Sequence, residues 1–194
     1  MKDIVIKGLV KSFDDKMVFN GFDLTIESGT VTCINGPSGC GKTTLLNILA
    51  GITRPDSGDI KGVPDRLAMV FQEDRLCEDH SVISNLMLVS GRKRKQELET
   101  HLYELGLGDD IKEPVRNLSG GMKRRVAIAR AVSYEPDLLI LDEPFKGLDP
   151  ELKKSVMDYV KKHTKDRTVI CVTHDLGEAE YMGGRLVSLG EDAG

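Results

Sequence analysis

The chain has 194 residues, 20 of them glycine, and its 27 Lys plus Arg against 31 Asp plus Glu leave a formal charge of −4. A hydrophobic content of 40% suits a folded globular chain, and the acidic balance excludes a nucleic-acid partner held by bulk positive charge. No apolar run approaches the ~18 residues of a membrane span. Lys2, Lys7 and Lys11 interrupt the N-terminal apolar stretches, so a signal peptide is not expected and any membrane is met through a partner. The four cysteines have no C-x-x-C spacing, which reads as reduced thiols and not as a disulfide framework or a zinc site.

Alternating apolar residues at Ile4, Ile6, Phe22, Leu24 and Ile26 predict antiparallel strands over the first 30 residues. Val31–Ile34 predicts a short buried strand running into a turn-rich loop, and Thr43–Ala50 a helix closed by Gly51. A strand is expected over Leu67–Phe71, then helical pattern from Ser81 to Gly106, and a helix from Ser119 to Val132. Leu138–Leu141, Val169–Val172 and Arg185–Leu189 read as strands and Leu152–His163 as a helix. Strands alternating with helices predict an α/β fold with a mostly parallel sheet. The expected organisation is one domain, with residues of about 75–117 forming a helical subdomain. The basic run Arg92-Lys93-Arg94-Lys95 reads as a solvated face.

Gly36-Pro37-Ser38-Gly39-Cys40-Gly41-Lys42-Thr43, followed by Thr44, matches the phosphate-loop pattern G-x-x-x-x-G-K-[ST], with a strand before it and a helix after it. Glycines let successive N–H groups face an anion, and the helix start adds its dipole. Lys42 is expected to reach the β- and γ-phosphates and Thr43 to offer its hydroxyl to Mg²⁺. On this loop alone a small nucleotide kinase stays open. Cys40 lies at a helix N-terminus, where a thiol is often acidified.

Four apolar residues, Leu138–Leu141, run into Asp142-Glu143-Pro144. A strand apolar throughout is covered on both faces, and its carboxyl end lines the ligand crevice of a doubly wound sheet. Asp142 is therefore a candidate Mg²⁺ ligand. Glu143 is a candidate for polarising water, with the following proline biasing it to extended backbone.

Leu118-Ser119-Gly120-Gly121-Met122 adds a helix start with Ser119 as N-cap and two glycines that leave N–H groups bare. Taken with the phosphate loop and the acidic strand end, it resembles the signature motif of ATP-binding cassette (ABC) ATPases. Other motifs follow the same family in order. Phe13 resembles the adenine-stacking aromatic, Gln72 the Q-loop glutamine, Gly147-Leu148-Asp149 the D-loop, and His174 the switch histidine. A nucleotide kinase needs none of these later motifs.

The resemblance implies an ATPase with a P-loop core, N-terminal antiparallel strands and a helical subdomain, binding ATP and Mg²⁺ between two copies placed head to tail. Gln72 would sense metal and γ-phosphate, Glu143 would direct water, His174 would contact the γ-phosphate, and Asp149 would couple the two sites. Ser119, Gly120 and Gly121 would close on the partner copy's nucleotide. Phe71-Gln72-Glu73-Asp74-Arg75-Leu76 resembles importers of the nitrate, sulfonate and taurine type. The implied partners are a second, identical subunit, a separate transmembrane permease and an extracytoplasmic solute-binding protein. The expected location is cytoplasmic, on the inner face of the membrane. A soluble assembly ATPase, such as one serving iron–sulfur assembly, is the alternative. Met122 and Phe145-Lys146-Gly147 depart from the family pattern. The sequence stops soon after His174, so no C-terminal regulatory domain is expected.

Overall fold

The structure is a computed structural model that describes residues 2–14, 16–90 and 95–190. Of the basic run at 92–95, all but Lys95 lies outside the described residues. The chain divides into two compact units. One holds the residues up to Met69, Asp137–Asp142 and those from Asp166 on; the other holds Val70–Pro136 and Glu143–Lys165.

In the first unit, β1 (Ile4–Phe13) pairs antiparallel with β2 (Lys16–Ile26), with Ile4 opposite Ile26. Its other edge pairs with β4 (Ser57–Lys61), giving the order β2-β1-β4. β4 has one apolar residue, Ile60, and leaves no alternation to read; it forms because β1 offers an open edge. Gly62 ends it at φ +85, where a Cβ would lie 2.0 Å from the Asp3 carbonyl oxygen.

The second sheet contains β3 (Val31–Asn35), β5 (Leu67–Val70), β6 (Leu138–Asp142), β7 (Thr168–Val172) and β8 (Arg185–Ser188), in the order β5-β6-β7-β3-β8. β3 runs parallel to β7 and β8, and β6 runs parallel to β7. Every residue of β6 and β7 is buried, as expected for strands covered on both faces. The register aligns Ile34 with Val172 and Val172 with Asp142. The carboxyl ends of β3, β7 and β6 therefore share one rung. Leu45 and Leu46 of α1 (Lys42–Leu49) pack with Ile34, Ile140 and Ile170 in the core. α6 (Leu176–Met182) is too short to show periodicity. It is set by its caps, with Asp175 accepting from the Gly177 and Glu178 N–H groups and Gly183 ending it at φ +71.

The second unit is helical: α2 (Val82–Ser90), α3 (Lys95–Glu104), a 3₁₀ turn at Val115–Asn117, α4 (Gly120–Ser133) and α5 (Pro150–His163). α2 and α3 pack on α4, and α5 lies against α4. Leu86, Leu98, Leu102, Val126, Ile128, Val156 and Val160 are fully buried or nearly so. Between α3 and α5 the Tyr159 hydroxyl meets His101 Nδ1 at 2.8 Å, and Glu104 accepts from His163 at 2.9 Å and Lys162 at 3.0 Å. Burial pushes the Tyr159 phenol far up. Among the described residues no helix is long and apolar enough to cross a membrane.

Candidate nucleotide site

The phosphate loop joins β3 to α1. Gly36 is glycine because a Cβ there would come within 2.4 Å of the Leu189 carbonyl oxygen. Gly41, at φ +103, precedes α1 with no side-chain cap, so the first N–H groups of the helix are left to an outside partner. Lys42 is buried and donates to the carbonyl oxygens of Gly36 and Pro37 at 2.8 Å each, which places its ammonium inside the loop. Pro37, Ser38 and Gly39 are exposed, while Thr44 and Cys40 are half-buried. The Cys40 sulfur lies 3.9 Å from Lys42 Nζ.

Thr43 Oγ1 donates to Asp142 Oδ2 at 3.0 Å. That contact joins the first turn of α1 to the carboxyl end of β6. Two hard oxygens at this spacing suit Mg²⁺ and not a softer metal. His174 lies two residues beyond Val172, the last residue of β7, and is exposed. Its loop is fixed behind it, where the Thr173 hydroxyl binds buried Glu178 and accepts from the Asp175 N–H. Phe13, at the end of β1, is 46% exposed, with Lys11 Nζ 4.9 Å from the ring centroid.

Glu143 corrects one expectation. Its backbone is not extended but left-handed, at φ +47. The cause is a turn in which the Lys146 N–H returns to the Glu143 carbonyl. A non-glycine residue in this region carries strain of about 1–3 kcal/mol and is held only by its surroundings. Its carboxylate pairs with Lys146 Nζ at 2.8 Å. Phe145 is fully buried, so it anchors the turn from inside, whereas Lys146 and Gly147 are exposed. Asp149 caps α5, its Oδ1 accepting from the Leu152 N–H at 3.0 Å.

At the start of α4 the Ser119 hydroxyl accepts from the Met122 N–H at 3.3 Å. A Cβ on Gly120 would meet nothing within 4 Å, and one on Gly121 would only touch Leu148. Among the described residues nothing crowds position 120.

Gln72 is exposed, but its backbone is held firmly. Arg124, buried in α4, donates to the Phe71 and Gln72 carbonyls at 2.6 Å each and pairs with Asp74 at 3.2 Å. Burial holds the Asp74 carboxyl above its usual range against the opposing pull of Arg124. Arg130 donates to the Arg75 carbonyl at 3.0 Å, and the Arg75 guanidinium lies over the Phe71 ring at 3.7 Å. Arg124 and Arg130 belong to no motif in the sequence, and their hydrogen-bond partners here are backbone carbonyls, which the sequence does not display.

A glycine-rich turn between a buried strand and a helix, tied through Thr43 to the acidic end of a parallel strand, is the design of a P-loop nucleotide-binding protein. Residues 19–146 match the profile of the ABC transporter family. An aliphatic sulfonates import ATP-binding protein, SsuB 3 of Rhodococcus jostii, is 41% identical over 96% of this chain and 70% of its own length. The bicarbonate transport ATP-binding protein CmpD of Synechococcus elongatus is 39% identical over 89% of this chain and 68% of its own. Among solved structures, the ATP-binding cassette MJ0796, a dimer in a post-hydrolysis state with ADP and Pi, superposes with a TM-score of 0.85. That match covers 96% of this chain and 94% of MJ0796, at 27% identity. The chain belongs to the ABC transporter family, as an ATP-binding subunit that hydrolyses ATP.

Proposed function

We propose that this subunit drives import of a small solute, as one of two identical copies that close head to tail on ATP beneath a separate membrane permease. The sulfonate and bicarbonate transport subunits named above support transport over the soluble-assembly alternative. On this reading the protein works on the cytoplasmic face of the membrane, residues of about 75–117 form the subdomain that meets the permease, and an extracytoplasmic solute-binding protein delivers the cargo. No nucleic acid takes part.

The Thr43–Asp142 contact carries the catalytic side of this reading, because it pairs the metal-facing hydroxyl with a strand-end carboxylate. Thr43 and Asp142 would hold Mg²⁺, which would supply charge to offset that of the phosphates. Lys42 and the loop N–H groups bind phosphate, and Phe13 stacks on the base. Glu143 orients the attacking water and accepts its proton, while Gln72 and His174 read the γ-phosphate. From the partner copy, the bare N–H groups at Ser119, Gly120 and Gly121 bind the same phosphate, and Asp149 links the two sites. ATP makes these contacts only in the closed pair, so binding and hydrolysis shift a two-state equilibrium.

The test is Glu143→Gln. Turnover should fall by about 10²-fold or more while ATP binding persists and the dimer is retained. Near-normal ATPase would remove the role given to Glu143. Reconstitution with the permease should stimulate the wild-type ATPase, and no stimulation would count against transport.

A further inference from the structure

Two lysines stand beside Phe13, and their surroundings differ. Lys11 Nζ lies 4.9 Å from the Phe13 ring centroid and pairs with Asp56 Oδ1 at 2.7 Å, so its charge is matched within the chain. Lys16 sits directly across from Phe13 in the register of β1 and β2, and it is exposed. Residues opposite each other in an antiparallel pair put their side chains on the same face of the sheet. Among the described residues no ion pair engages Lys16. Its ammonium reaches the phosphate loop instead, where a Cβ on Gly39 would lie 3.7 Å from Lys16 Nζ. Lys42 enters the same loop from inside, donating to the Gly36 and Pro37 carbonyls at 2.8 Å each. Two ammonium groups thus converge on one short loop. Like charges gathered in this way repel, and an anion between them turns the repulsion into attraction.

We propose that Lys16 is a nucleotide-binding residue whose ammonium meets the phosphates nearest the base, bridging the stacked base and the phosphate loop. This rests on the reading of Phe13 as the base-stacking ring and of the loop as the triphosphate site. A nucleotide with its base on Phe13 and its terminal phosphate at Lys42 passes Lys16, because that side chain starts opposite Phe13 and ends beside Gly39. A flexible four-carbon stem suits the task, since it brings a point charge without demanding one orientation of the phosphate oxygens. The group is exposed, so its contribution is that of a screened surface pair, below that of buried Lys42. Because it faces the phosphates nearest the base, it serves ATP and ADP alike.

The experiment measures the affinity for ATP and for ADP by calorimetric titration, without Mg²⁺ so that no turnover occurs, for the wild type, Lys16→Gln and Lys16→Arg. Lys16→Gln should weaken both nucleotides by the same factor, about three- to fivefold, the scale of an exposed ion pair. Lys16→Arg, which keeps a cation within reach, should return affinity toward the wild type. Added salt should narrow the gap between wild type and Lys16→Gln, because screening weakens the contact. Unchanged affinity in Lys16→Gln, an equal loss in Lys16→Arg, or a gap that salt leaves intact overturns the contact. In a Phe13→Ala background Lys16→Gln should cost the same factor again, as independent contacts do. If it costs nothing there, Lys16 only supports the ring and the phosphate contact fails. Lys42→Ala separates this inference from the reading beneath it. Full affinity in Lys42→Ala removes the loop as the nucleotide site, and Lys16 falls with it. Weakened binding in Lys42→Ala beside unchanged binding in Lys16→Gln overturns Lys16 alone.

Discussion

Thr43 Oγ1 and Asp142 Oδ2 meet at 3.0 Å although 99 residues separate them in the chain. The parallel register makes this possible, because it brings the carboxyl ends of β3, β7 and β6 together, and the phosphate loop leads from β3 into α1. Asp142→Asn keeps an oxygen that can accept from Thr43 but removes the charge that holds a divalent cation. ATP hydrolysis should fall at least about tenfold and should need more Mg²⁺ for half-maximal rate, while the unfolding midpoint barely moves. A Mg²⁺ titration of ATPase activity beside a thermal melt checks both. An unaltered Mg²⁺ requirement would sink the assignment.

Lys42→Ala removes two kinds of bond. The loop loses its internal donor to the Gly36 and Pro37 carbonyls, and an incoming anion loses its cation. Charged hydrogen bonds are worth about 1.5–3 kcal/mol, so ATP affinity should drop by about 10- to 100-fold. Calorimetric titration with ATP measures it, and equal affinity in the variant would refute the role.

Gly120 and Gly62 make opposite predictions. The methyl of Gly120→Ala meets nothing within 4 Å, so the chain should melt at or slightly above the wild-type temperature. On the proposed function ATP hydrolysis should nonetheless fall, because the added methyl stands where the second copy would close. Gly62→Ala meets the Asp3 carbonyl oxygen at 2.0 Å from a left-handed backbone, and should cost about 1–3 kcal/mol of stability. Denaturant melts and ATPase assays on both variants distinguish an outward-facing glycine from an inward-facing one.

Glu104 predicts a pH dependence in the helical unit. Burial tends to raise its carboxyl, but the His163 and Lys162 hydrogen bonds outweigh this and hold it below the usual range. A carboxyl held lower in the folded state contributes stability above its unfolded value, and that contribution is lost as pH falls through the folded value. Glu104→Gln should therefore be less stable than the wild type by about 1 kcal/mol at pH 7, and the gap should close under acid. Urea melts at several pH values test this; a gap that persists or widens at low pH contradicts it.

Much of the architecture could be read from local patterns. β6 and β7 announce themselves as unbroken apolar runs because both faces are covered, and α4 begins behind Ser119, a good cap by chemistry alone, whereas α5 starts at Pro150, two residues before the expected Leu152, with Asp149 as its cap. β4 could not be read, since its pairing is decided by the free edge of β1, 45 or more residues away in sequence. The left-handed backbone of Glu143 went against a sound local rule about residues before proline, because the turn closed by Lys146 overrides it. Arg124 was hidden for a different reason. Its charge is compensated by backbone carbonyls, and a carbonyl leaves no trace in the amino-acid letters.

Arg124 and Arg130 grip residues 71–75 mainly by main-chain oxygens, which every amino acid possesses. The segment around Gln72 can therefore exchange exposed side chains such as Glu73 without slipping its mooring.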